Sequence, residues 1–155
     1  MRILIDADGC PVVDAAVHLA KRYGLECLIL CDTAHHFQKD SAVTLTFSKG
    51  ADSVDFALVN LLRKGDVVVT QDYGLAAMCL ARGAYPLNQD GMAYTDANIG
   101  ALLQARHTAK KIRQAGGRLK GSPKRRAEQT KAFEESLETI IREAVSHLCA
   151  KDILP

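Results

Sequence analysis

Short apolar runs alternate with stretches of helical period along most of the chain. Arg2–Asp6 reads as a strand, apolar inside and closed by an acid. Pro11 follows at the first turn of a helix, where its missing N–H costs nothing. Val12–Tyr23 repeats apolar residues at Val12, Ala15, Ala16, Leu19 and Ala20, and Gly24 stops it. Glu26–Cys31 reads as a second strand, Asp32–Asp40 as a polar loop holding His35 and His36, and Val43–Phe47 as a third strand. Gly50-Ala51-Asp52-Ser53 opens a helix to about Leu62. Lys64-Gly65-Asp66 is a turn into a fourth strand, Val67–Thr70, β-branched throughout as fully buried parallel strands tend to be.

The rest of the chain continues the pattern. Gly74–Ala81 is a short helix closed by Gly83, Tyr85–Leu87 a fifth strand and Asp90-Gly91 a turn. Asn98 to about Ala115 is helical, with Ile99, Leu102 and Leu103 on one face. Gly116–Lys124 is glycine-rich and basic and reads as mobile. Ala127 to about Leu148 is a long amphipathic helix with Phe133, Leu137, Ile140, Ile141 and Val145 toward the core. Strands alternating with helices predict right-handed crossovers. The expected fold is α/β: a three-layer α/β/α sandwich with a central, mainly parallel sheet. A single domain over residues 1–155 is expected, with a basic loop at about 116–126 and a C-terminal helix at about 127–148.

In such sheets the functional crevice lies outside the carboxyl ends of the strands. Asp6 and Asp8 sit at that end of the first strand, two residues apart and so on one side of an extended chain. Asp72 follows the fourth strand, and Asp52 and Asp55 open the helix after the third. Carboxylates gathered there repel one another unless a cation sits among them. Hard oxygen donors favour Mg²⁺ or Mn²⁺ over Zn²⁺. Each acid also has a plainer reading: Asp52 as a helix cap, Asp55 as a partner of the helix dipole, Asp8-Gly9 as a turn, Asp72 as a cap. The Asp6–Asp8 pair resists that reading, because a carboxylate ending a buried strand is costly without a partner. Thr70 is a candidate supporting residue. Asp66 precedes its strand, at the opposite edge of the sheet, and reads as a turn residue. Asp14 reads as supporting or solvated, and His35 and His36 as exposed loop residues.

Composition narrows the class. Hydrophobic residues make 48% and charged residues 25% of the chain, ordinary for a globular protein. No secretory leader pattern and no apolar run of ~18 residues is evident, which predicts a cytoplasmic protein without a membrane partner. The five cysteines are odd in number and lack C-x-x-C spacing, which argues against a disulfide or zinc framework. Cys10, beside two carboxylates, makes a poor nucleophile. The formal net charge of +2 hides an asymmetry, since residues 97–127 carry Arg106, Lys110, Arg113, Lys124 and other cations but no acid. Such a stripe suits phosphate contacts, or is a solvated helix face. Aromatic residues are few (5%, no Trp), which argues against a base-stacking platform.

Four segments carry a resemblance: Asp6-Ala7-Asp8-Gly9-Cys10-Pro11-Val12; Gly50-Ala51-Asp52-Ser53-Val54-Asp55; Gly65-Asp66-Val67-Val68-Val69-Thr70-Gln71-Asp72-Tyr73-Gly74-Leu75-Ala76; and Tyr94-Thr95-Asp96-Ala97-Asn98-Ile99. Together they resemble the signature segments of the bacterial YaiI/YqxD family, placed among PIN-like domains. The resemblance runs from Arg2 to about Leu137. It implies a PIN-like fold and an acidic site on Asp6, Asp8, Asp52, Asp55 and Asp72. PIN-like domains in general are Mg²⁺- or Mn²⁺-dependent nucleases. One segment departs: where the family has Gly-Pro-Lys and then an Asp-Arg pair, this chain has Gly121-Ser122-Pro123-Lys124 and then Glu128-Gln129-Thr130.

The expectation is a Mg²⁺- or Mn²⁺-dependent nuclease acting on RNA ahead of DNA. Asp6, Asp8 and Asp72 are catalytic, the same three with Asp52 and Asp55 hold metal, and Arg106, Lys110, Arg113 and Lys124 meet nucleic acid. Two alternatives stand beside it. One is a non-catalytic nucleic-acid-binding module with a vestigial or structural metal site. The other is a haloacid-dehalogenase-type phosphatase, whose first motif is also an apolar strand ending in Asp-x-Asp.

Overall fold

A computed structural model describes residues 1–50 and 52–151, the side chains of 148–151 excepted. Five strands, β1 (Ile3–Asp6), β2 (Cys27–Asp32), β3 (Val43–Phe47), β4 (Val67–Val69) and β5 (Tyr85–Leu87), form one sheet in the order β3-β2-β1-β4-β5. All neighbours are parallel. The chain therefore works outward from β1 to β3, then crosses back to β4 and β5 on the other side. The switch point of this α/β fold falls between β1 and β4.

Alternation along the strands builds two cores. Ile3, Ile5, Ile29, Val67 and Val69 face one way, onto α1 (Val13–Arg22) and α5 (Ala127–Lys151). Leu4, Leu28, Leu30 and Val68 face the other, onto α2 (Ser53–Leu61) and α3 (Tyr73–Ala81). Each fully buried side chain of this kind stabilises the fold by roughly 1.5–3 kcal/mol. In α5, Phe133, Leu137 and Ile141 are fully buried, at helical spacing. Val145, expected on the same face, is 46% exposed.

Two further elements differ from expectation. α4 (Ile99–Gln114), with Ile99, Leu102 and Leu103 read on one face, buries no residue; its main packing is on α3, and Leu103 is 36% exposed. The β2–β3 connection is the loop the sequence predicted, but Asp32 belongs to β2, paired with Phe47, rather than opening that loop.

The end of the sheet away from the site is tied by a buried ion pair. Arg2 Nη2 lies 2.6 Å from Asp66 Oδ2, and the backbone N–H groups of Arg2 and Arg63 also donate to that carboxylate. Asp66 is thus more than a turn residue: it is 1% exposed and joins the starts of β1 and β4. Arg125 anchors the end of the basic loop, its guanidinium 2.6 Å from Asp90 and bonded to the Gln89 carbonyl. Gly91 (φ +88°) lets that turn lie against α5, where a Cβ would come within 2.6 Å of the Ala132 carbonyl oxygen.

Candidate functional site

Parallel strands end at one edge, and the acids gather there. Asp6, Asp8, Asp32, Asp52, Asp55 and Asp72 line one open cleft of about 560 Å³, with Arg106 at its wall. All five sequence-predicted aspartates reach it. Lys110 and Arg113 are exposed further along α4 and do not line it, and Lys124 lines a separate groove with Asp90 and Arg126.

Asp6 is the last residue of β1 and the most constrained. Thr70, 1% exposed just beyond β4, donates from Oγ1 to Asp6 Oδ2 at 2.8 Å. The same oxygen accepts the Asp72 N–H at 3.0 Å, so its proton is directed at Asp6. The buried Tyr94 hydroxyl donates to the Thr70 carbonyl at 3.2 Å. Burial pushes the Asp6 carboxyl up to about 6; Thr70 opposes this, and the charges of Asp55, Asp8 and Asp72 add to it. Asp55 is raised too, by burial and then by Asp72 and Asp52, with Arg106 opposing.

The plainer readings divide. Asp72 does cap α3: its Oδ1 accepts the Leu75 N–H at 3.0 Å and lies 3.4 Å from Arg106 Nη1. Its carboxylate therefore serves the helix and faces the cleft together. Asp52 stands at the cap position of α2, in the left-handed region (φ 65°), but makes no side-chain cap bond. The capping account of Asp52 fails, and its carboxylate is left to the cleft. Asp8 does lie in a turn, closed by the Cys10 N–H on the Ala7 carbonyl, with Gly9 at φ +71°. Asp14 is solvated and pairs with Lys39.

A second grouping was missed in the sequence. Asp32 N–H donates to both Asp8 oxygens, at 3.1 and 3.3 Å. His35 Nδ1 lies 2.8 Å from Asp8 Oδ1 and 3.0 Å from Asp32 Oδ1. His35 is therefore not a free loop residue. The His35 hydrogen bond, helped by the Ala34 N–H, holds the Asp32 carboxyl below its usual range. One ligand atom from each of Asp8, Asp32 and His35 falls within 4.8 Å of the others, close enough to share a cation. The available signal was the strand-end rule itself: Asp32 ends β2 as Asp6 ends β1.

Several further residues singled out in the sequence take up definite positions. Among the described residues Cys10, Cys27, Cys31 and Cys79 are free thiols, and Cys149 lies outside the described side chains. The Cys10 thiol is pushed up, chiefly by burial and only secondarily by Asp6. Asp66 sits at the opposite sheet edge from Asp6 and Asp8, bound to Arg2, so it adds no acid to the Asp-x-Asp motif that the phosphatase reading rests on. No described helix is long and apolar enough to cross a membrane.

Fold and site together define an α/β protein with a carboxylate-lined crevice at the carboxyl edge of an all-parallel sheet. Residues 4–143 match the family described as "Uncharacterized BCR, YaiI/YqxD family", and the chain belongs to it. It is 49% identical over 143 residues to a UPF0178 protein of Exiguobacterium sibiricum, spanning 92% of this chain and 98% of that one. A UPF0178 protein of Ruminiclostridium cellulolyticum is 48% identical over 92% of this chain and 93% of its own. One of Clostridium acetobutylicum is 44% identical over 91% and 97%. No solved structure matches the chain.

Proposed function

We propose that this chain is a PIN-like nuclease that uses Mg²⁺ or Mn²⁺ to hydrolyse phosphodiester bonds, in RNA ahead of DNA. The observation that carries the reading is the convergence of Asp6, Asp8, Asp52, Asp55 and Asp72 on one cleft from separate strand ends and a helix start. A fold gains nothing from crowding carboxylates that raise one another's pKa, as Asp55 and Asp72 do to Asp6. The donor set is hard oxygen, which fits Mg²⁺ or Mn²⁺. Asp6, Asp8 and Asp72, with Asp52 or Asp55, would hold the ion or ions. Bound there, the metal supplies a water of lowered pKa and charge stabilisation for the leaving oxygen.

The chain's own groups do the rest. Thr70 fixes the rotamer of Asp6 and favours its ionised form. The Leu75 N–H orients Asp72. Arg106, half-exposed and only loosely held by Asp72, is free to turn toward a phosphate at the lip of the cleft. Lys110, Arg113 and Lys124 lie outside the cleft and suit longer-range attraction of the backbone.

The test is cleavage of labelled single-stranded RNA and DNA in Mn²⁺ or EDTA, comparing wild type with the Asp6→Asn/Asp8→Asn double variant. Cleavage that needs both metal and the aspartates is expected. Equal cleavage by the double variant sinks the reading. Salt-sensitive binding without cleavage would instead fit the non-catalytic module.

A further inference from the structure

We propose that Phe56 is a stacking platform for one base of a single-stranded nucleic acid, held directly beside the acidic cleft. The inference deepens the nuclease reading and rests on it for the identity of the strand. Within α2, Val54 and Leu58 are buried, while Phe56 is 62% exposed. A single exposed apolar side chain is unremarkable in itself. This one is not isolated. Phe56 and Met78, itself 38% exposed, line a groove of about 270 Å³ with Gly74 and the buried Leu75. The same groove is walled by Asp52, Asp55, Asp72 and Arg106, all of which also wall the acidic cleft. The groove is thus an apolar annex of the site. A Cβ at Gly74 would lie 3.2 Å from Asp72 Oδ1, so glycine there leaves room for the carboxylate that walls both.

The chemistry of the walls selects the occupant. A phosphate is repelled by carboxylates and is drawn to Arg106 or to a cation in the cleft. A base is neutral, has a π-face for Phe56, and carries amino groups that can donate to a carboxylate. A strand crossing the lip can therefore lay its phosphate over the cleft and its base in the annex. In a duplex the base faces are already covered by stacking, so the annex favours single strands. The low aromatic content of the chain argued against a stacking platform; one phenylalanine placed beside the site is enough for one base.

The test uses the full chain with Ca²⁺ replacing Mg²⁺ or Mn²⁺, and a single-stranded oligonucleotide carrying 2-aminopurine, whose fluorescence falls on stacking. Wild type and Phe56→Tyr should quench it, while Phe56→Ala should quench less and bind about tenfold more weakly. A hairpin duplex should show neither effect. Phe56→Ala that quenches and binds like wild type overturns the proposal even where metal- and aspartate-dependent cleavage stands. So does Phe56→Tyr as impaired as Phe56→Ala. Quenching lost in Phe56→Ala without any cleavage by wild type supports the platform and overturns the nuclease reading. No binding of single strands by wild type overturns both.

Discussion

The hydroxyl of Thr70 lies 2.8 Å from Asp6 Oδ2 and, because the Asp72 N–H occupies its acceptor side, it has its proton to give to that carboxylate. One buried side chain thereby couples the ends of β1 and β4 at the switch point. Thr70→Val keeps the shape and removes the donor. Metal affinity or cleavage should fall roughly 10- to 100-fold, the usual cost of losing a group that orients a ligand. Thr70→Ser should retain most of it. Equal losses in both variants, with unchanged melting temperatures, would refute the hydrogen-bond argument.

The raised Asp6 carboxyl makes a pH prediction for the metal-free protein. Its folded pKa is about 6, against an ordinary 3.8. The folded state therefore holds a proton that the unfolded state has lost in that window. Asp6's contribution favours folding at low pH and is lost as pH rises through about 6. In EDTA, the melting temperature of wild type relative to Asp6→Asn should fall between about pH 4 and pH 7 and level off above. Added Mn²⁺ should reverse the fall. A relative melting temperature that climbs across that window would contradict the assignment.

Much of this could be read in the chain. The strands were legible because each is a short apolar run, and the acids because parallel strands deliver their ends to one edge. Proximity between elements was not. Asp6 pairs in register with Leu30, which sets Asp8 beside Asp32, two residues past each partner. That register is a tertiary fact, and so Asp32 and His35 read as loop. The apolar stripe of α4 was legible, but not that the helix buries none of its residues. For Asp52, its residue type suggested a cap, while in the structure its side chain makes no cap bond and lines the cleft.

Asp66 offers a control far from the cleft. Its carboxylate accepts from Arg2 and Arg63 and is nearly inaccessible. Asp66→Ala leaves the Arg2 guanidinium buried without its partner, a change that costs roughly 3–5 kcal/mol. The melting temperature should drop by about 10 °C or more. Cleavage per folded molecule at low temperature should not change. A selective loss of activity without loss of stability would instead give Asp66 a chemical role and revive the phosphatase reading.

The Asp8–Asp32–His35 grouping makes a prediction about metal choice. Imidazole nitrogen suits Mn²⁺ better than Mg²⁺, which prefers carboxylate and water oxygens. The three ligand atoms already lie within 4.8 Å of one another, so little rearrangement is needed to share an ion. His35→Ala should weaken Mn²⁺ binding roughly tenfold or more while leaving Mg²⁺ affinity nearly unchanged, and Asp32→Asn should weaken both. Electron paramagnetic resonance of free Mn²⁺ measures the first, and competition by Mg²⁺ in the same titration measures the second. Equal Mn²⁺ affinity in wild type and His35→Ala would confine any ion to the carboxylates around Asp6. His35 would then serve only to orient Asp8 and Asp32, through the two contacts it makes at 2.8 and 3.0 Å.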